Sequence, residues 1–228
     1  MKCFVARAHR AAMQRYFLIL ALLTIGGSGF AGSPVPPLTK IVHRYIWPGG
    51  PAEAFAAKPK TLYIGGDKYS RVEEEPDPER HIHGLTICSE PDIWMINLDG
   101  RRGQHIVDPG PTYVTHHIII GRDAPGELRA LEFGKELAFF LQHHAARLEP
   151  RVIDGVRCEV SEFTQDSYRL VLCFRPDTRL PFQLDVIKDG KAEFSIRYLS
   201  YDTEFPFSSA LFKPPTDITM TEAKANAQ

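Results

Sequence analysis

The chain has 228 residues, 43% of them hydrophobic and 24% charged, with a formal net charge of −1. That balance is globular rather than disordered, and the length suits one well-filled domain better than two. A near-neutral chain without clustered Lys and Arg has no broad electrostatic means of holding nucleic acid.

Residues 1–31 read as an export signal. Lys2, Arg7, Arg10 and Arg15 give a positive start, Tyr16 to Ile25 (YFLILALLTI) an apolar run, and Gly29-Phe30-Ala31 a small-residue exit. Charge, short apolar stretch and small residues in that order predict a secretory signal cleaved near Ala31. The apolar run is about half of the roughly 20 residues that span a bilayer, so no permanent transmembrane anchor is expected. Cleavage removes four basic residues and Cys3, leaving Cys88, Cys158 and Cys173. The mature protein is expected in the periplasm or secreted, as one domain over 32–221 with a frayed tail over 222–228.

Ser33 to Leu38 (SPVPPL) is a stiff, extended entry. From there the period is mostly two. Lys40 to Trp47 predicts a first strand, ended by Pro48-Gly49-Gly50-Pro51. Lys60 to Ile64 and Asp67 to Glu74 predict a hairpin about Gly65-Gly66, since glycine supplies the positive φ of a tight turn. After the acidic loop Glu73 to Asp77, His81 to Ser89, Asp92 to Leu98 and Gln104 to Val107 continue a meander, and Thr112 to Ile120 is a further β-rich segment.

Then the period changes. Leu128, Leu131, Gly134, Leu137, Ala138, Leu141, Ala145 and Leu148 recur at threes and fours, one stripe on a helix from about Ala124 to Arg147. Asp123 suits its N-cap, Pro125 its first turn, and Glu149-Pro150 its end. Four strands follow: Val152 to Phe163, Ser167 to Arg175, Pro181 to Lys188 and Lys191 to Tyr201, the last two joined by the hairpin pair Asp189-Gly190. The expected fold class is α+β, mostly β: a curved antiparallel sheet, an open half-barrel, wrapped around one long amphipathic helix. A groove left between helix and sheet would suit an apolar ligand.

Three stretches resemble the periplasmic lipoprotein-carrier and outer-membrane lipoprotein-sorting superfamily (LolA-like). Leu62 to Glu73 (LYIGGDKYSRVE) looks like the family's paired strands ending in Arg-x-Glu. Ile93 to Leu98 (IWMINL) looks like its aromatic strand, and Tyr198 to Pro215 (YLSYDTEFPFSSALFKPP) like its closing strand with a Phe-x-Pro-Pro element. The resemblance implies an open antiparallel β-barrel with helix lining the cavity, and binding of acyl chains or a lipidated protein. The chain departs from the family in lacking a helix before the first strand, and in having one long helix where the carriers use several short ones.

The residues carry candidate roles beside plainer ones. Trp94, Ile96 and Leu98 share one strand face and Ile93 and Met95 the other; Trp94 and Ile96 are candidate ligand wall or core. Phe139 and Phe140 point in different directions, with Phe140 as candidate groove wall or helix core. Arg71 is a candidate polar contact to cargo, since a guanidinium forks onto carboxylate, phosphate or amide oxygens, or else a cross-strand partner of Glu73 or Glu74. His81-x-His83, His116-His117 and His143-His144 offer ligand spacing, but adjacent histidines on a strand diverge and zinc needs three or four converging ligands, so no metal is expected. Cys158 and Cys173 flank a turn at Gln165-Asp166; matching apolar faces sets them on opposite faces, and both a bridge and two buried thiols stand open.

No Gly-x-Ser-x-Gly or phosphate-cradling glycine loop occurs, and the acids and histidines form no catalytic constellation, so neither enzyme activity nor a cofactor is expected. The first functional reading is an exported module holding a lipid or lipidated protein in envelope lipid or lipoprotein handling or sensing. The alternatives are a sensing protein with a filled core that binds an envelope protein, and a metal-dependent hydrolase.

Overall fold

The computed structural model describes residues 37–51, 54–111, 114–121 and 124–223. The expected export signal lies outside them, as do Asp123 and residues 224–228. Strand β1 (Leu38–Ile46) sends Ile41, His43 and Tyr45 to one face, here called the front, and Lys40, Val42 and Arg44 to the back. It sits at the centre of one open sheet of 12 strands. On one side follow β2 (Lys60–Gly65), β3 (Tyr69–Glu74), β4 (Gly84–Ser89), β5 (Asp92–Asn97) and β6 (Arg102–Val107), each antiparallel to its neighbour. On the other side the chain returns backwards. β7 (Ala146–Ile153), β8 (Val156–Gln165), β9 (Tyr168–Phe174) and β10 (Pro181–Lys188) lead to the 15-residue β11 (Lys191–Phe205), which pairs with β1. The last strand, β12 (Thr219–Ala223), lies parallel on β6 and takes in Glu222 and Ala223, which were expected to fray.

The turns follow backbone chemistry. Asp189-Gly190 closes β10 onto β11 with both φ positive, as expected. The same chemistry at Asp154-Gly155, with φ of 50° and 77°, splits the single strand expected over Val152 to Phe163 into β7 and β8. Between β2 and β3 the loop is three residues long, Gly66 to Lys68.

The long helix is corrected. Residues Gly126–Ala130 form a 3-10 turn, Glu132 bridges Ile118, and α1 spans only Glu136–Gln142. Gly126 and Gly134 have φ of 53° and 88°, which a helix cannot hold. From Ala146 the chain pairs as β7, so strand pairing overrides the helical pattern. Pro150 sits within that edge strand, beside a bulge between Leu148 and Arg151, where a missing N–H costs little. Of the expected segment Thr112 to Ile120, only the bridge at Ile118 pairs among the described residues.

Three apolar clusters hold the sheet. On the front, Ile41, Leu62, Leu172, Phe174, Leu184 and Ile196 lie beneath Ile119, Leu128, Leu131, Phe133, Phe139 and Phe140. This plug is packed, every residue named being at most 6% exposed. On the back of the β1–β6 half, Leu85, Ile87 and Ile96 lie beneath Phe207, Leu211, Phe212 and Met220 of the closing segment. On the back of the other half, Cys158, Val160, Val171, Cys173 and Phe182 form a third cluster. The tip of the β7–β8 hairpin folds over it, so that Arg197 of β11 donates to Asp154 across β9 and β10.

Candidate binding surfaces on the front face

The plug covers β1 and β8–β11 and leaves hollows around it. The first is a cavity of about 390 Å³ at the end of β1, walled by Tyr45, Ile46, Trp47, Pro51 and Ala57, with Arg44 at its side. Its shape follows from the sequence. Trp47-Pro48-Gly49-Gly50 reverses the chain, with Gly50 N–H donating to Trp47 O at 3.1 Å and Gly49 at φ 70°. The small residues around the 3-10 turn Phe55–Ala57 then form a wall without filling the space. Tyr45 and Trp47 stack with ring centroids 5.1 Å apart, and burial pushes the Tyr45 phenol up to about 12. Ile46 and Trp47 remain 39% and 37% exposed, large apolar groups left in water.

A second, shallower hollow of about 360 Å³ lies over β3–β5, on Val72, Thr86, Asn97 and Met95, the last 51% exposed. A third, of about 320 Å³, lies between α1 and the β7–β9 edge, with Phe140 in its wall.

The plug has a polar anchor. Glu136, 1% exposed, accepts hydrogen bonds from the hydroxyls of Tyr198 at 2.9 Å and Tyr201 at 3.0 Å, and from Gly134 N–H at 3.0 Å. Burial outweighs those bonds and pushes its carboxyl up to about 7, while both tyrosines are raised by burial and by the carboxylate beside them. His43, 3% exposed, packs at 4.4 Å against Phe133; burial, with the nearby Lys60 charge, lowers it to about 4, so it is neutral at physiological pH.

The four residues singled out from the sequence do not converge. Trp94, Ile96 and Arg71 are on the back face and Phe140 is on the front. Trp94 stacks on His105 at 5.3 Å, and Ile96 is 5% exposed under the closing segment. Arg71 donates to Glu73 at 2.8 Å and to Leu211 O at 3.2 Å, so it ties the closing segment to the sheet. Phe140 is 2% exposed within the plug.

The histidines pair with separate acids: His116 with Glu132 at 2.7 Å, His143 with Glu127 at 2.8 Å, and His105 between Asp92 and Glu222. Among the described residues no group of three or more His, Cys, Asp and Glu is arranged to hold a metal. Cys158 and Cys173 are free thiols. They share the back face, a correction to the expected opposite faces, because the register sets Val160 against Cys173 and Cys158 lies two residues from Val160 on the same face of β8. Burial raises both thiols, Cys173 to about 11. The β1 cavity was missed in the sequence, although exposed aromatic and apolar residues running into Pro-Gly-Gly-Pro were its signal.

No family model matches the chain, and no curated protein matches it in sequence. Solved structures do resemble it. An uncharacterized conserved protein from Thermus thermophilus is 7% identical with a TM-score of 0.47, over 83% of this chain and 92% of that one. MucB in complex with MucA(peri) is 10% identical with a TM-score of 0.41, over 81% of this chain and 57% of that one. A LolA superfamily protein from Nitrosomonas europaea is 13% identical with a TM-score of 0.33, over 80% and 92%. These neighbours include LolA superfamily and MucB proteins, and all are distant in sequence. No helix among the described residues is long and apolar enough to cross a membrane.

Proposed function

We propose that this protein is an exported half-barrel that binds an acyl chain, free or on a lipidated protein, in the cell envelope. The observation that supports the reading is the cavity at the end of β1. Its 390 Å³ lies within the range of small-ligand pockets, and its wall is mostly apolar, with Ile46 and Trp47 left accessible. Burying acyl chain contributes roughly 0.8 kcal/mol per methylene, so such a site needs little polar specificity. The export signal and the lipoprotein-sorting resemblance read from the sequence point to the same compartment and ligand class.

The packed plug favours a second reading, in which the front core is simply filled and the protein acts by binding an envelope protein. Lipid extraction separates the two. The mature chain, residues 32–228, is purified without detergent, extracted for lipid mass spectrometry and titrated with a fluorescent acyl probe. The proposal expects bound lipid or saturable probe binding; a stable, lipid-free protein that rejects the probe leaves the protein-binding reading.

A further inference from the structure

The hollow between α1 and the β7–β9 edge differs in kind from the cavity at β1. Its floor is apolar, from Leu137, Phe140 and Phe174. Its rim carries Arg147, Arg179 and His144, and among the described residues no Asp or Glu side chain lines it. These side chains arrive from three separate elements. Arg147 stands on β7 in register with Ser161, which also lines the hollow. Arg179 lies in the β9–β10 loop, held by its own N–H donating to Arg175 O at 2.8 Å, with its guanidinium over the Phe174 ring at 5.4 Å. His144 follows α1 at φ 50°. Neither Arg147 nor Arg179 makes an ion pair among the described residues, and both rim the same hollow. In a chain of net charge −1, two guanidiniums without acids over an apolar floor mark a local reversal of charge.

We propose that this hollow binds the anionic head of an amphiphile, with Arg147 and Arg179 forking onto its phosphate or carboxylate oxygens. The first carbons of its chain lie on Leu137 and the 59%-exposed Leu141. The inference does not rest on the cavity at β1: the hollow keeps its cations and floor whether or not that cavity holds a chain.

The test titrates the mature protein with dodecyl phosphate, dodecanoate, dodecanol and inorganic phosphate, each below its micelle concentration, by calorimetry. The two anionic amphiphiles are expected to bind about tenfold or more tighter than dodecanol, the size of one or two charge-assisted hydrogen bonds. Their relative affinities distinguish a phosphate head from a carboxylate. Inorganic phosphate alone is expected to bind weakly, and added salt to weaken the anionic probes selectively. R147A/R179A is expected to abolish the preference while leaving dodecanol affinity unchanged. Because Arg179 also covers Phe174, R147E, on an exposed strand position, provides a second variant with the same expected loss and unaltered thermal unfolding. Equal affinity for dodecyl phosphate, dodecanoate and dodecanol, or a preference that survives in both variants, overturns the proposal. An unchanged anionic preference in Trp47→Ala separates this site from the cavity at β1.

Discussion

The front face of the sheet is treated differently in its two halves. In the β8–β11 half, β9 buries five successive residues, Leu170 to Phe174, each at most 2% exposed, so the plug above and the back cluster below are both required. In the β3–β6 half, the front positions beyond Val72 include Glu74, Thr86, Met95 and Gln104, and among the described residues no comparable apolar cluster lies over them. A strand that is apolar on both faces demands two covers, and one that mixes its front face leaves a surface for something else. The hollows therefore lie around the plug, where its cover ends, and not beneath it.

That contrast can be broken most forcefully by truncation. Phe139→Ala in the plug is expected to cost about 3–5 kcal/mol in urea unfolding, and Met95→Ala in the open half no more than about 0.5 kcal/mol. Similar losses at both positions would remove the distinction between the halves.

The plug's anchor gives the next effect. The folded-state carboxyl of Glu136 lies at about 7, above its ordinary value of 4.5. Its contribution is therefore fully present below the ordinary range and is lost as pH rises through about 7. Stability should fall between pH 5 and pH 8 by an amount on the order of 2–3 kcal/mol, and Glu136→Gln should flatten that fall. A pH profile unchanged by the substitution would mean that Glu136 does not govern it.

At the cavity, Trp47→Ala is expected to weaken acyl-probe binding about tenfold, the worth of one large apolar contact, with unfolding nearly unchanged. The smallest effect belongs to the β7–β8 hairpin. Gly155 has φ 77° and open space where a Cβ would stand, so Gly155→Ala is expected to cost about 1 kcal/mol from backbone strain alone. A loss several times larger would show that the hairpin tip contributes more to the back cluster than its turn geometry implies.

Much of the sheet was legible because its signals are local. Alternation located β1 and β10, and Asp189-Gly190 fixed the turn between β10 and β11. The equivalent Asp154-Gly155 turn lies inside the segment expected as one strand. The long helix does not form because Leu128 and Leu131 are buried by an irregular segment whose spacing happens to match 3.6, while Leu141, on the expected inner stripe, is exposed. The candidate site was less legible. Trp94 and Ile96 look the same in sequence whether a ligand or the closing segment covers them, and only the path of residues 205–220 decides it. The pairing of Glu136 with Tyr198 and Tyr201 joins residues more than 60 positions apart, beyond any local pattern.

The central claim is that an acyl chain enters at the end of β1, and the chain's two tryptophans allow a direct test. Trp47 lines that cavity, and Trp94 lies on the opposite face against His105. A bromine-labelled acyl chain, titrated into W94F and W47F, reports on each indole separately by short-range fluorescence quenching. The account predicts saturable quenching of Trp47 and none of Trp94. Quenching of Trp94 alone, or of neither, would contradict it.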